Sequence, residues 1–259
     1  MTTRPIPSSL ASVVEGLELR QAPVVSRALL EDIADESGSK HSATTIAERL
    51  VRAGWLLPLR THDAWEFAPS ARAGRHRSGD PWIELRAHLL HRPDAPVAIA
   101  FESAMWEFGY TSHQPGMPVL AHRPNWRPPQ SLSARTVSFD WRLPTGDANG
   151  LPLWQPATVV VAAADRPAAQ GDWGNADEWL PETFRATTST EVLAEATGRG
   201  NATLARLGYL AEWSGRHDIA DQIEGLLPEH PTVTFLGRRS PRGRWINRWR
   251  LYDALLPQR

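Results

Sequence analysis

The chain has 259 residues, of which 41% are hydrophobic and 22% charged, and its formal net charge is −1; this composition is typical of a globular protein and excludes a wholly disordered chain. It has no cysteine, which excludes disulfides, thiolate metal sites and thiol nucleophiles. No run approaches the roughly 18 apolar residues of a membrane helix, and the first ten residues lack the apolar stretch of a signal peptide, so we expect a cytoplasmic protein without membrane contact.

The first 70 residues predict three helices followed by a hairpin. Apolar residues at helical spacing predict a first helix over residues 10–21, which Pro23 ends. Val24 and Val25 predict a short extended segment, and Gly54 lies where a helix favours a left-handed residue. The remaining predicted elements are helices over 28–34 and 43–53 capped by Ser26 and Ser42, strands over 55–59 and 65–68, and a turn at 61–63.

This order of helix, short strand, helix, helix and hairpin is typical of a winged helix-turn-helix. In such a fold the helix before the hairpin enters the major groove of DNA, and the hairpin touches the backbone beside it. We therefore predict an α+β protein with an N-terminal winged helix-turn-helix in residues 1–70. Residues 71–80 are polar, small and basic, which predicts a linker.

Residues 81–259 predict a larger, mixed α/β domain. Residues 158–161 are ambiguous, because their β-branched side chains favour a strand while their position before a helical series favours a helix. Trp245 and Trp249 share one face of the last predicted strand, where we expect them to anchor the basic loop before it. The other predicted elements are helices over 82–90, 97–108, 173–180, 189–196, 201–213 and 217–227, and strands over 119–122, 136–141, 233–236 and 245–252.

Charge is distributed unevenly along the chain. Residues 41–79 have six arginines against three acidic residues, and residues 237–259 have seven arginines against Asp253 alone. Between them, residues 81–236 have 11 basic and 18 acidic residues. Separated basic stretches are typical of a nucleic-acid binder. The alternative is an ordinary solvated surface, since 27 of the 28 basic residues are arginine and the whole composition is biased.

The common motifs of enzymes and cofactor sites are missing from the sequence. It has no GxxxxGK[ST], GxGxxG, GxSxG or HExxH pattern. His88 and His91 are spaced like two metal ligands on a helix, but zinc needs three or four ligands and no further ligand is evident. Acidic residues near 172–178 fit the start of a helix better than a catalytic cluster. We predict no cofactor, no metal and no enzymatic activity.

Three runs of residues resemble the AbiEi family of antitoxins from type IV abortive-infection toxin–antitoxin systems. The first is IAERLVRAGWL at 46–56, where a helix runs into the first strand of the hairpin. The second is AFESAMWEFGY at 100–110, similar to a Ser-Ala-Leu…Gly-Leu helix of the family, and the third is NATLARLGYL at 201–210. The hairpin departs from the family, which often has Gly-Val-Tyr where this chain has Asp63-Ala-Trp65-Glu66-Phe67.

The resemblance implies a fold and a function. It implies a helix at 158–164, and an N-terminal domain that binds inverted repeats in double-stranded DNA at its own promoter and represses its own operon. It implies an antitoxin domain in residues 81–259 that neutralises a nucleotidyltransferase-like toxin, either by binding it directly or by counteracting its effect without direct contact. Such a toxin would need an Asp-x-Asp pattern, which this chain lacks, so the sequence fits the antitoxin.

The candidate DNA contacts come from the third helix, the hairpin with the linker, and the C-terminal basic segment. On the helix, Arg49 is the expected guanine contact, while hairpin and linker residues are expected at phosphates. The C-terminal arginines have three competing uses: a second DNA contact, docking of an acidic partner, or solubility. The full set is Lys40, Ser42, Thr44, Thr45, Arg49, Arg52, Arg60, His62, Arg72, Arg75, Arg77, Arg238, Arg239, Arg242 and Arg244.

Two alternative functions remain open at the level of sequence. The first is a winged-helix transcriptional regulator whose tryptophan-rich C-terminal domain senses a small ligand in an apolar pocket. The second is an enzyme with an appended winged helix. A neighbouring nucleotidyltransferase-like gene would favour the antitoxin, and a ligand-dependent change of DNA affinity would favour the sensor.

Overall fold

A computed structural model describes residues 8–70, 78–238 and 243–257 of the chain. Internal packing divides the chain into two compact units, one of residues 1–95 and 129–133 and the other of residues 96–128 and 134–259. Both units combine helices with strands, which confirms the predicted α+β class. The first unit contains α1 (Ala11–Arg20), β1 (Val24–Ser26), α2 (Arg27–Glu36), α3 (Ala43–Ala53), β2 (Leu56–Pro58), β3 (Ala64–Phe67) and α4 (Ile83–His91).

Local signals fix the starts of α2 and α3 and the end of α3. The Ser26 hydroxyl accepts the Leu29 N–H at 3.1 Å, and the Ser42 hydroxyl accepts the Thr45 N–H at 3.3 Å. Each serine thereby satisfies one of the amides that a helix start leaves unpaired. Gly54 ends α3 with a φ of 81°, a conformation that costs glycine little. The predicted caps Ser26 and Ser42 are therefore confirmed.

The three strands of the first unit form an antiparallel sheet in the order β1-β3-β2. One face, which includes Val25 and Phe67, closes a core with α1, α2 and α3. On the other face, Val24 and Ala64 pack with Ile83 and Ala87 of α4. The sheet therefore has helices on both sides, because alternate residues of a strand point to opposite faces.

The second unit contains a five-stranded mixed sheet in the order β6-β5-β4-β8-β7 and a three-stranded sheet in the order β10-β11-β9. At its centre, α6 is buried on all sides from Ala157 to Ala164. This confirms the helix expected at 158–164. The elements are β4 (Val97–Ile99), α5 (Phe101–Glu107), β5 (Val119–His122), β6 (Arg135–Ser138), β7 (Gly146–Asp147), β8 (Pro152–Leu153), α6 (Pro156–Asp165), α7 (Ala176–Arg185), α8 (Ser189–Ala196), α9 (Asn201–Trp213), α10 (His217–Glu224), β9 (Thr234–Leu236), β10 (Arg244–Ile246) and β11 (Leu251–Asp253).

Two predicted elements of this unit are wrong. The helix expected over 97–108 is a central strand, β4, followed by α5. The chain reverses at Phe101, whose φ of 51° breaks the helical run and buries the ring against Trp154 at 5.0 Å. The single strand expected over 245–252 is a hairpin of β10 and β11.

Trp245 and Trp249 therefore do not share a strand face. Trp245 lies on β10 and is 42% exposed, whereas Trp249 lies in the turn and is fully buried. Of the two tryptophans, Trp249 is the one that packs on α9, because it lies against Gly208.

Candidate nucleic-acid interface

One face of α3 is turned away from the core of the first unit. Its apolar residues, Ile46 and Leu50 among them, are fully buried. Between them Thr44, Glu48 and Arg52 are exposed. The periodicity therefore correctly separated the core face of α3 from the face that is available to a ligand.

Arg27 joins the start of α3 to the turn of the hairpin. Its Nη2 donates to the hydroxyl of Thr44, and its Nη1 lies 3.4 Å from a carboxylate oxygen of Asp63. Its backbone N–H also donates to the Asp63 carbonyl at 3.2 Å. Because one side chain contacts both elements, the helix and the hairpin turn are held at a fixed spacing.

Sequence reasoning missed Arg27, although a signal was present. Arg27 is the first residue of α2, where the partial positive charge of the helix N-terminus disfavours a cation. A cation at that position indicates compensating partners elsewhere, and here they are Asp63, Thr44 and Glu31, which lies 3.6 Å away.

Arg49, the expected guanine contact, is half-buried. Its Nη1 lies 3.1 Å from Nε2 of His41 and 3.5 Å from the Ser9 hydroxyl. Thr45 beside it is also half-buried, and its hydroxyl lies 3.1 Å from the hydroxyl of Ser42. Contact between Arg49 and a base would therefore exchange an internal hydrogen bond for one to DNA.

The turn of the hairpin presents two predicted phosphate contacts to solvent. The side chain of His62 is 93% exposed, and its Nδ1 lies 3.2 Å from Asp63. Arg60 is exposed, while its backbone N–H donates to both carboxylate oxygens of Glu84 at 3.1 and 3.2 Å. Glu84 thus fixes the backbone of the turn from α4 and leaves the Arg60 side chain on the surface.

Most of the remaining predicted contacts lie outside the described residues. Lys40 is exposed just before α3. Five arginines lie outside the described residues: Arg72, Arg75, Arg77, Arg239 and Arg242. The structure thus brings Ser42, Thr44, Thr45, Arg49 and Arg52 together on α3, with Arg60 and His62 on the hairpin.

In the second unit, the two described arginines of the predicted basic surface have different environments. Arg238 is exposed. Arg244 donates through Nη2 to the hydroxyl of Tyr209 and to Asp253 at 3.1 Å. Burial, with the Asp253 charge beside it, raises the pKa of the Tyr209 hydroxyl, which therefore stays protonated and donates to Asp253 at 2.8 Å. Arg244 supports the fold through this network.

Three residues of the run RLGYL in α9 make contacts that explain why those residue types are present. Arg206 donates to the Phe235 carbonyl at 2.7 Å and to the Ala164 carbonyl at 3.1 Å, which joins β9 to the end of α6. A Cβ on Gly208 would lie 2.2 Å from the ring of Trp249. These contacts, with Tyr209, hold the three-stranded sheet on α9.

The described parts of the chain contain neither a metal-binding cluster nor a membrane-spanning helix. Within residues 8–70, 78–238 and 243–257, no group of three or more His, Cys, Asp or Glu side chains is arranged to hold a metal ion. In the same ranges, no helix has the length and apolar character needed to cross a bilayer.

Comparison with known proteins gives a family and a fold. Residues 97–213 match the family model described as the AbiEi antitoxin C-terminal domain. A crystal structure of the RV2827C protein from Mycobacterium tuberculosis superimposes with a TM-score of 0.86 at 25% sequence identity, over 98% of this chain and 94% of that chain. No curated protein matches the sequence.

Proposed function

We propose that this chain is an AbiEi-family antitoxin, because residues 97–213 match the model of that family's C-terminal domain. As such it binds DNA, represses its own operon and neutralises a nucleotidyltransferase-like toxin. The proposed function is binding without catalysis, and the description of the matched model as an antitoxin domain supports it. The partners we propose are double-stranded DNA at inverted repeats of its own promoter and the cognate toxin.

The observation that carries the DNA-binding proposal is the coupling of α3 to the hairpin through Arg27. A helix followed by an antiparallel hairpin is the arrangement of a winged helix-turn-helix, with α3 as the recognition helix and residues 59–63 as the wing. The exposed face of α3 supplies hydroxyl and guanidinium groups for base edges, and Arg60 and His62 extend from the wing toward phosphates.

We assign DNA binding to residues 1–70, with residues 71–80 as a linker and residues 81–259 as the antitoxin domain. Within the last range, α4 has a supporting part in the first unit, because Ile83 and Ala87 pack on the sheet and Glu84 holds the backbone of the wing. The antitoxin function belongs to the unit that contains the family match.

A gel-shift assay with the DNA upstream of the gene tests the operator binding on which autorepression depends. The expected result is a retarded complex that unrelated DNA of the same length displaces poorly. The logarithm of the binding constant should fall linearly with the logarithm of the salt concentration. Equal competition by unrelated DNA would contradict recognition of an operator. For the antitoxin function, co-expression with a nucleotidyltransferase-like toxin encoded beside it should restore growth; continued arrest with the antitoxin present would contradict it.

A further inference from the structure

The second unit contains a cleft that neither DNA binding nor the antitoxin family explains. It has a volume of about 860 Å³, within the range of about 300–1,000 Å³ that is usual for small-molecule sites. Apolar side chains form much of its wall, including Val137, Trp173 and Leu255. Its polar lining comes from Asp165, Arg166, Gln170, Arg206 and Arg238.

Gln170 is a buried amide without a partner. The residue is 3% exposed, and neither its Nε2 nor its Oε1 makes a hydrogen bond to any residue that the structure describes. Leaving such an amide unpaired in the interior is unfavourable, and each unpaired group in a folded protein requires an explanation. Gln170 also lines the cleft, and its enclosed carboxamide would offer a donor and an acceptor side by side to a ligand once the side chain turned toward the cleft.

Arg206 is a half-buried cation in the same wall. Its Nε and Nη1 donate to two backbone carbonyls, while Nη2 makes no hydrogen bond within the described ranges. No described carboxylate forms an ion pair with Arg206. The charge of Asp165 acts on it, but that carboxylate accepts from Thr203 at 2.7 Å and pairs with Arg166 at 3.8 Å. Buried charges are normally paired, so the cleft contains a cation that an anion would complete.

From these two groups, we propose that the cleft binds a mononucleotide, with its phosphate on Arg206 and its base edge on Gln170. The three arginines and one aspartate of the lining give a net positive charge, which favours a phosphate. A glutamine amide matches the adjacent donor and acceptor of a nucleobase edge, and Trp173 with Val137 supplies apolar surface for the base. Gln170 must rotate its amide into the cleft when the ligand binds, a side-chain change that is common at binding sites.

Titration calorimetry of the full-length protein tests this proposal with AMP, GMP, CMP and UMP as probes. At least one should bind saturably with a Kd below about 1 mM, and the matching nucleoside and inorganic phosphate should each bind about tenfold more weakly or worse. Gln170→Leu and Arg206→Met should each weaken the nucleotide about tenfold or more, since each removes one of its two recognition groups. Arg127→Ala, an exposed arginine of the same unit that is not in the cleft, should bind normally.

Folding of the variants must be separated from binding. Thermal unfolding of Gln170→Leu should be unchanged or shifted to higher temperature, because an unsatisfied amide is removed. If Arg206→Met fails to fold, the double variant Arg166→Ala/Arg238→Ala takes its place, since both side chains are exposed. Absence of saturable binding by all four nucleotides, or binding equal in wild type and folded variants, would overturn the proposal. The assay contains no DNA or toxin, so its result is independent of the function proposed above.

Discussion

The ring of Trp249 occupies the space that a side chain on Gly208 would take. A Cβ built on Gly208 would lie 2.2 Å from two ring carbons, and Trp249 is fully buried. The indole Nε1 also donates to Glu212, one turn further along α9. A single glycine thus sets how closely the C-terminal hairpin approaches α9.

Gly208→Ala should therefore destabilise the protein. Overpacking of this kind costs about 1–3 kcal/mol, which exceeds the gain of up to about 1 kcal/mol from replacing glycine by alanine within a helix. Urea unfolding measures the difference. Gly116→Ala is the matched control, because a Cβ there meets nothing within 4 Å; equal stability of the two variants would contradict the prediction.

Arg27→Gln should weaken operator binding while leaving its salt dependence nearly unchanged. The substitution releases Thr44 and Asp63 from their common partner, so α3 and the wing lose their fixed spacing. Exposed pairs contribute less than about 1 kcal/mol to stability, so the free energy of unfolding should change little. A salt slope reduced by about one unit would instead identify Arg27 as a phosphate contact.

Arg49→Ala should reduce affinity for the operator by about 1–3 kcal/mol, the value of one bidentate guanine contact. Affinity for unrelated DNA should change much less, because such DNA is held through its phosphates. Arg20→Ala, in which the lost guanidinium pairs with Glu36 on the same unit, is the control. Unchanged affinity for both DNAs would remove Arg49 from the recognition surface.

The C-terminal arginines require a variant that spares the fold. Arg238/Arg239/Arg242→Ala keeps Arg244, which the network of Tyr209 and Asp253 needs, and keeps both tryptophans. We expect weaker operator binding in gel shifts and intact toxin neutralisation. Lost neutralisation with normal DNA binding would instead indicate docking of an acidic partner, and no change in either would indicate a role in solubility.

His88 should make the protein sensitive to mild acid. Burial, with the positive charges of Arg92 and His91, lowers the pKa of His88 below 6.5. The unfolded chain then takes up the proton more readily than the folded one, so stability is complete above about pH 6.5 and is lost as the pH falls toward the folded pKa. Urea midpoints at pH 7 and pH 5 measure the loss.

His88→Gln should reduce the part of the acid loss that His88 causes. His230→Gln provides the control, since it removes an exposed histidine that does not act on His88. A loss between pH 7 and pH 5 that is as large in His88→Gln as in wild type would contradict the assignment.

Local signals in the sequence were enough to determine the helices that begin with a cap or carry a clear apolar stripe. The Ser42 cap and Gly54 bound α3 at 43–53, and α8 and α9 lie where periodicity predicts them. The exposed face of α3 follows from the same stripe. These features depend on residues close together in the chain, and their physics acts within one or two turns of helix.

Tertiary structure alone decided the features that depend on distant residues. Residues 97–99 form a strand because β5 and β8 pair with them on either side, and their own apolar run fits a buried helix equally well. Arg27 contacts Asp63 from 36 residues away, Tyr209 contacts Asp253 from 44 residues away, and Gly208 meets Trp249 from 41 residues away. Composition identifies the arginines of this chain, but only the folded chain determines which of them are bound internally and which remain for a ligand, because a guanidinium pairs with whatever acceptor the fold brings within reach.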